Sequence, residues 1–371
     1  MTIKILHILP VADRGGAERM HLSWIASLQK QFIFQVILPK QGSLQKDLEK
    51  LGITVLTPKD FRMKNLFQVI KILKNYINSE SINLIHSSMK YGHLFGSLAN
   101  LASSNCREIW SNHGPMSHNY YQGVIPLLPS TGILLPSNYM YNLQRRSLYN
   151  ATNLYLVPNG VDTNLIIPQQ QNRYTLQNKY ELTEDTLAIG IIGRINKWKG
   201  QDIFLKAIKN LQTHHRKVKF FIIGGAVFGV GKDYQAELLE LTHNLGLEKQ
   251  VIFTGHVDNV YEYYDLLDIV VHASIIPEPF GLVIAEAMAK EKIVVASQGG
   301  GASEMINHGI NGFLYQGGNI QALSNQLSKL INFLDKYKTI GQNARKSIIL
   351  NFSLEKSADC LQSTYLKILQ K

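Results

Sequence analysis

Two carboxylates lie eight positions apart in residues 277–288, where the residue types and spacing suit ligand chemistry. Glu278 falls in a Pro/Gly-rich loop, and Glu286 falls on the first turns of an apolar helix. A helix N-terminus offers free N–H donors to a phosphate, and a carboxylate accepts hydrogen bonds from ribose or hexose hydroxyls. The pair therefore fits a sugar-nucleotide site. The spacing also fits a plainer alternative, in which Glu278 caps the helix and Glu286 is solvated on its outer face.

Two cations bracket a turn between a strand predicted over residues 188–192 and a helix over residues 202–211. Arg194 and Lys199 each stand beside a glycine. Cations ahead of a helix suit a diphosphate, because guanidinium and ammonium groups bind phosphate oxygens directly. An ordinary surface turn is the alternative.

Glycines and a histidine follow other predicted strands. Gly15 and Gly16 come between the first strand, residues 3–9, and a helix. They would let the backbone approach a ligand closely, but they do not form the Gly-x-Gly-x-x-Gly dinucleotide fingerprint. His113 follows a strand at a glycine turn, and residues 299–301 are three glycines that could form a phosphate nest.

Metal chemistry is not predicted by the sequence. No Asp-x-Asp occurs, and no His, Cys, Asp and Glu residues cluster at ligand spacing. We therefore expect no cofactor and no metal, with Arg, Lys and backbone amides stabilising a leaving phosphate. The segment 226–233 is not a P-loop, because Ala226 and Asp233 occupy positions that require Gly and Ser or Thr.

Strands alternate with helices in both halves of the chain, which predicts an α/β fold with doubly wound parallel sheets. In such sheets ligands bind beyond the carboxyl ends of the strands. The predicted domains are 1–165, 166–350 and a C-terminal helix, 351–371, that could return to the first domain. The glutamine-rich segment 168–178 is the candidate linker.

Composition indicates a globular protein, with 45% hydrophobic and 18% charged residues in a chain of 371. Two cysteines give no disulfide framework, so a cytoplasmic location is expected. No signal peptide or membrane span is predicted.

The positive charge is concentrated in the first half of the chain. Residues 1–165 hold 16 Lys and Arg against 8 Asp and Glu, a net +8 of the total +11. This surplus suits anionic lipid, anionic glycan or nucleic acid, or simply solubility. Lys64, Lys71 and Lys74 lie on or just before a predicted helix, most simply as a solvated face. Tyr120 and Tyr121 lie in a loop that could reach a membrane interface.

Glu278 and Glu286, with seven residues between, resemble the Glu-x7-Glu motif of retaining glycosyltransferases of family 4 (glycosyl transferases group 1). Other motifs of this chain match those of the family in order and spacing, along nearly the whole chain. They are Gly15–Glu18, Pro158–Asp162, Gly193-Arg194 with Lys199-Gly200, Phe253–Gly255, and Gly299–Gly301 with Glu304. The resemblance implies the GT-B fold, in which two Rossmann-like doubly wound domains face a central cleft. The first would bind the acceptor and the second the nucleotide-sugar donor.

The resemblance also implies roles for individual residues. Arg194 and Lys199 would stabilise the leaving diphosphate, Glu278 would contact the transferred sugar, and His113 would lie near both. These are the catalytic residues that the resemblance implies. Glu286 would accept from ribose, and the 255–257 backbone would contact the base. The residues expected to bind the donor are Gly15, Gly16, Gly255, His256, Val257, Phe280, Gly281, Leu282, Val283 and Glu286.

These roles predict a metal-independent retaining hexosyltransferase of polysaccharide biosynthesis. Its donor would be a nucleotide diphosphate sugar, with UDP favoured because it is common in the family. Its acceptor would be a glycan or lipid-linked hydroxyl, with no nucleic acid partner. We expect a cytoplasmic protein that could contact the inner, anionic face of a membrane peripherally. The alternative is a non-catalytic nucleotide-sugar-binding subunit of an assembly complex.

Overall fold

The computed structural model describes residues 2–59, 61–103, 106–114, 125–146, 153–211, 216–226 and 231–370. The chain forms two compact units. Unit 1 comprises Met1–Gly160 and Leu354–Lys371, and unit 2 comprises Val161–Ser353. Each unit has its own parallel sheet and its own hydrophobic core.

Unit 1 is built on seven parallel strands in the order β3-β2-β1-β4-β5-β6-β7. The strands are short apolar runs, and the central ones are buried, as expected for a sheet covered by helices on both faces. They are β1 (Lys4–Ile8), β2 (Ile33–Ile37), β3 (Thr54–Leu56), β4 (Leu84–Ser88), β5 (Arg107–Ser111), β6 (Gly132–Leu135) and β7 (Leu154–Leu156).

Helices cover both faces of this sheet. They are α1 (Gly16–Leu28), α2 (Ser43–Lys50), α3 (Leu66–Glu80), α4 (Met89–Leu101), α5 (Asn138–Arg146) and α14 (Leu354–Gln370). One core joins α1, α2 and α14 through Trp24, Leu48 and Tyr365. A separate core joins α3 and α4 through Leu73 and Phe95. The strand order reverses direction at β1, so right-handed crossovers place α3 and α4 on the opposite sheet face from α1 and α2.

Unit 2 is built on six parallel strands in the order β10-β9-β8-β11-β12-β13. They are β8 (Leu187–Ile192), β9 (Val218–Ile223), β10 (Val251–Gly255), β11 (Ile269–His272), β12 (Ile293–Ser297) and β13 (Phe313–Tyr315). Its helices are α6 (Gln170–Lys179), α7 (Gln201–Lys209), α8 (Lys232–Asn244), α9 (Val260–Leu266), α10 (Leu282–Ala289), α11 (Ala302–Met305), α12 (Ile320–Asn332) and α13 (Lys338–Asn351). Both sheets have the doubly wound order that the alternation of elements predicts.

The chain passes from unit 1 to unit 2 at Gly160, five residues before the predicted boundary. The Val161 amide donates to the Phe352 carbonyl at 3.0 Å, and Val161 forms a parallel bridge with Ser353. These bonds tie residues 161–165 to unit 2. The chain returns at Leu354, and α14 packs in unit 1, where Trp24 Nε1 donates to Ser357 Oγ at 2.8 Å.

The prediction of a linker over residues 168–178 is wrong, because most of this segment forms α6. Asn172 Nδ2 donates to Asp265 Oδ2 at 2.8 Å, and Arg173 pairs with Asp268 at 2.9 Å. These polar anchors replace the apolar stripe that marks most surface helices. The composition therefore resembles a linker although the segment is fixed in unit 2.

Candidate functional site

Glu278 lies in the loop between β11 and α10 and is held by three donors. Its Oε1 accepts from Lys199 Nζ at 2.6 Å, from His272 Nε2 at 2.8 Å and from Ser274 Oγ at 2.8 Å. The carboxylate is largely buried. Of these donors, the sequence singled out only Lys199. His272 and Ser274 precede Glu278 by six and four residues, and no motif marked them.

Two adjacent loops bring Lys199 to Glu278. Gly200 has φ +71, and a Cβ there would lie 2.1 Å from the Ala273 carbonyl oxygen, so only glycine allows this approach. The Ile275 amide donates to the Trp198 carbonyl at 2.8 Å and joins the loop after β8 to the loop after β11. The Lys199 ammonium also lies 4.3 Å from the Trp198 ring centroid. The strand order, which places β8 beside β11, makes this pair possible.

His272 is oriented by a second hydrogen bond. Its Nδ1 lies 3.3 Å from Ser297 Oγ at the end of β12, while its Nε2 faces Glu278. Nε2 donates to Glu278, because an ionised carboxylate can only accept, and Nδ1 shares a hydrogen bond with the Ser297 hydroxyl, which can donate or accept. His272 is therefore a positioning residue for Glu278.

Glu278 is ionised despite its burial. Burial alone would raise the pKa of Glu278, but the attraction of His272 and Lys199 and their hydrogen bonds outweigh it. The pKa of Glu278 therefore lies well below its usual range. The site thus holds an ionised acceptor beside a cation.

The three glycines at residues 299–301 support the Glu278 loop rather than forming a phosphate nest. The Gly301 amide donates to the Glu278 carbonyl at 3.0 Å, and the Gly299 amide donates to Ser303 Oγ at 2.8 Å. A Cβ at Gly300 would lie 2.1 Å from the same Glu278 carbonyl. The nest prediction is wrong here, because two of its three amides are already donated within the protein.

Arg194 follows β8 and is exposed. Its backbone carbonyl accepts from Gln201 Nε2 at 3.0 Å, which fixes the turn. Within the described ranges no side-chain partner holds its guanidinium. Arg194 is therefore free to bind an anion near Lys199, with which it shares the loop after β8.

Glu286 is buried on α10 and is only 3% exposed. Its Oε2 accepts from Tyr264 Oη at 3.0 Å and its Oε1 accepts from Tyr261 Oη at 3.4 Å. The alternative of a solvated Glu286 is therefore wrong. So is a cap by Glu278, because Gly281 is the N-cap residue of α10 and no side chain caps that end.

Several other residues of unit 2 that were predicted to bind the donor could contact it only through the backbone. The Phe280 side chain is buried in the core, so only its backbone could face a ligand. Gly281, with φ +93, is the N-cap residue of α10, and Leu282 and Val283 lie in the first turn of the helix. The first N–H groups of a helix have no partner within the helix, so these amides are available to an anion.

The predicted base-contacting loop follows β10. Gly255 has φ +67, and its carbonyl accepts from the Gly224 amide at 3.1 Å. His256 is exposed and Val257 is half-buried against the core. The loop is thus fixed at its start and open at His256.

In unit 1, Gly15 is the N-cap residue of α1, Gly16 is its first residue, and His113 lies just beyond β5. Burial lowers the pKa of His113 to about 4, so its imidazole is neutral at pH 7. Its buried Nε2 has no hydrogen-bond partner within the described residues. The His113 ring lies 5.7 Å from the ring of His21.

His21 belongs to a buried cluster that the sequence did not reveal. His7 Nδ1 and His21 Nδ1 are 2.9 Å apart, and Tyr365 Oη lies 2.6 Å from His86 Nδ1 and 3.4 Å from His7 Nε2. His86 Nε2 also lies 2.6 Å from Ser111 Oγ. Burial lowers the pKa of His7 to about 3 and those of His21 and His86 well below 6.5, so all three are neutral at pH 7.

The same cluster could hold a metal ion, since His7, His21 and His86 each offer a nitrogen within 4.8 Å of the others. These residues are far apart in sequence, so ligand spacing gives no sign of them. Five of their six nitrogens already lie within hydrogen-bonding distance of a protein partner. A metal would have to break several of these bonds, and the prediction that no metal is used stays a prediction.

Solved structures share the fold of this chain, and curated relatives share parts of its sequence. Anabaena HepE, solved in complex with UDP-glucose, is 26% identical with a TM-score of 0.89, covering 98% of this chain and all of HepE. A Salmonella typhimurium lipopolysaccharide 1,2-N-acetylglucosaminetransferase is 26% identical over 65% of this chain and 63% of its own length. The Staphylococcus aureus capsular polysaccharide biosynthesis glycosyltransferase CapM is 30% identical over 54% of this chain and 52% of its own length. The chain thus matches about half to two thirds of the length of these curated relatives.

Both units match glycosyltransferase families. Residues 172–347 match Glycosyl transferases group 1, and residues 14–165 match Glycosyltransferase Family 4. Two Rossmann-like parallel-sheet domains of this kind define the GT-B class, which confirms the predicted fold. The chain belongs to glycosyltransferase family 4.

Proposed function

We propose that the protein transfers a hexosyl unit from a nucleotide diphosphate sugar to a hydroxyl of a glycan or lipid-linked acceptor. The observation that carries this proposal is the ion pair of Lys199 and Glu278, with Arg194 free on the same loop as Lys199. It combines cations for a diphosphate with an ionised acceptor for sugar hydroxyls. The names of the relatives, which make lipopolysaccharide and capsular polysaccharide, support this acceptor class.

Each residue has a defined part in this proposal. As the bond between sugar and diphosphate breaks, its electron pair goes to the diphosphate. Arg194 and Lys199 stabilise that growing negative charge. Glu278 accepts from hydroxyls of the transferred sugar, and His272 and Ser274 keep its carboxylate in place when the diphosphate draws Lys199 away. Glu286 accepts from the ribose hydroxyls, because a carboxylate oxygen can accept more than one hydrogen bond at a time.

UDP is the proposed nucleotide, supported by the UDP-glucose complex of HepE. Retention of the anomeric configuration and independence of metal are also proposed. The family resemblance supports retention. The two cations support metal independence, because they can supply the positive charge that a divalent ion would otherwise provide.

The test is donor hydrolysis by the purified protein, with UDP-glucose and a panel of other UDP- and GDP-sugars and no acceptor. We expect slow release of nucleoside diphosphate from one donor, unchanged by EDTA, with the freed sugar keeping the donor's anomeric configuration by NMR. Clear nucleotide binding without release from any donor would favour the non-catalytic binding subunit. A strict Mg²⁺ or Mn²⁺ requirement would contradict metal independence, and an inverted sugar would contradict retention.

A further inference from the structure

The start of α3 in unit 1 exposes an aromatic side chain. Phe67 is 89% exposed, and Met63, one turn earlier, is 49% exposed. Single exposed apolar residues are common on protein surfaces, but here two large apolar side chains are exposed one turn apart. The opposite side of α3 buries Val69, Leu73 and Ile77, so packing within unit 1 does not need Phe67.

The same side of α3 is basic. Phe67, Lys71 and Lys74 stand at i, i+4 and i+7, which places them on one ridge of the helix. Lys64 lies just before the helix. Residues 61–79 contain four cations, Arg62, Lys64, Lys71 and Lys74, and no Asp or Glu. Lys64, Lys71 and Lys74 are exposed and form no ion pair within the described part of the chain. We call Met63, Lys64, Phe67, Lys71 and Lys74 the α3 ridge.

We propose that the α3 ridge docks unit 1 on an anionic membrane surface. A helix that lies in the plane of such a surface buries aromatic and aliphatic side chains at its apolar edge, while lysines reach the lipid phosphates. The ridge has this order, with Phe67 and Met63 at its N-terminal end and the lysines around and after them. A nucleic acid backbone would use the lysines but would gain little from exposed Phe67 and Met63. The combination therefore favours lipid.

Docking of this kind is weak and reversible. No helix in the described ranges is long and apolar enough to cross a bilayer. Each cation near anionic lipid strengthens binding about fivefold. The aromatic loop around Tyr120 and Tyr121, to which the sequence pointed, lies outside the described residues, and the proposal does not use it. Such docking would bring unit 1 to lipid-linked molecules, but it does not depend on glycosyl transfer.

Flotation of the purified full chain tests the proposal, using vesicles of phosphatidylcholine alone and vesicles with one third phosphatidylglycerol. We expect binding to the anionic vesicles at low salt, and little binding to neutral vesicles or at high salt. Phe67→Ser should weaken anionic binding about tenfold, the scale of one aromatic side chain leaving an apolar contact. The pair Lys71→Ala and Lys74→Ala should weaken it about twenty-fivefold.

Matched controls are available in both units. The pair Lys46→Ala and Lys50→Ala changes exposed lysines on α2, which covers the opposite sheet face. Phe333→Ser changes an exposed phenylalanine of unit 2 that has Lys336 beside it. Both controls should bind like the wild type. No flotation with anionic vesicles, or equal losses in controls and ridge variants, would overturn the proposal.

An oligonucleotide competitor at low salt separates the two anionic partners. If it binds through the lysines with no effect of Phe67→Ser, the ridge is a nucleic acid surface and the membrane proposal is wrong. Donor hydrolysis in solution should be the same in Phe67→Ser as in the wild type. A negative flotation result therefore does not contradict the proposed glycosyl transfer, and a negative hydrolysis result does not contradict membrane docking.

Discussion

Near the carboxyl ends of the central strands of unit 1, neutral imidazoles bond to one another and to a tyrosine. At the corresponding place in unit 2, a carboxylate pairs with an ammonium group. His7, His86 and Tyr365 represent the first region, and Glu278 and Lys199 represent the second. The same doubly wound topology thus places uncharged groups in one unit and full charges in the other. The charged region is suited to a diphosphate sugar, and the neutral one mainly completes a core.

The largest effect should come from removing the cation of the charged region. Lys199→Ala should lower turnover about 10²–10³-fold, the scale of losing one charge-stabilising donor. Steady-state donor hydrolysis measures it. The control is Lys197→Ala in the same turn, because the Lys197 side chain is 68% exposed and pairs with Glu237 on the surface. Equal losses in the two variants would mean that overall positive charge matters and the ion pair does not.

A smaller effect should separate the two carboxylates of unit 2. Glu286→Gln should weaken nucleoside diphosphate binding about tenfold, because ribose is present in donor and product alike and would lose a charged acceptor. Glu278→Gln should leave that binding nearly unchanged but impair transfer, because only the donor carries the hexose. Calorimetric titration of both variants with the nucleoside diphosphate measures the difference. If the two bind it equally weakly, the roles assigned here are wrong.

Much of this arrangement could be predicted, since the alternation of strands and helices and the Glu278 loop follow from local patterns. What could not be predicted depends on contacts between distant segments. His7, His21 and His86 meet only when the sheet forms, and His272 gains its role from Ser297 on the next strand. Gly299 was wrongly predicted to belong to a phosphate nest. Glycines that let the backbone approach a ligand and glycines that let it approach another loop have the same sequence pattern.

The last expected effect concerns the neutral region and is a dependence of stability on pH, not of activity. The pKa values of His7, His21 and His86 are lowered by folding, so below pH 6.5 the unfolded chain binds protons that the folded chain does not. Stability is therefore full above pH 6.5 and falls as the pH drops below it, by about 1.4 kcal/mol per pH unit for each histidine. Glu278 contributes little between pH 6.5 and 5, because a glutamate of the unfolded chain, with a pKa of about 4.3, binds almost no proton in that range.

Urea unfolding between pH 7.5 and 5 measures this slope. A Trp198→Phe background leaves Trp24 and Trp110, so that fluorescence reports on unit 1 alone. In that background, the free energy of unfolding of His7→Gln should change less steeply with pH than that of the parent, by about 1.4 kcal/mol per pH unit. This difference is independent of the effect of the substitution on stability at pH 7.5. His243→Gln, which removes an exposed histidine of unit 2, should not change it. An unchanged slope in His7→Gln would contradict a neutral buried His7.

The return of α14 to unit 1 sets an order for biosynthesis. Its Ser357 accepts from Trp24 and donates to the Pro158 carbonyl at 2.6 Å, and its Tyr365 contacts His86. On the ribosome these residues emerge only after all of Val161–Ser353, although domains usually complete themselves from the N-terminus. Unit 2 is continuous and can fold as soon as it emerges. Unit 1 cannot cover its cluster of His7, His21 and His86 until α14 is made. The half of the chain that is translated first is therefore the half that completes folding last.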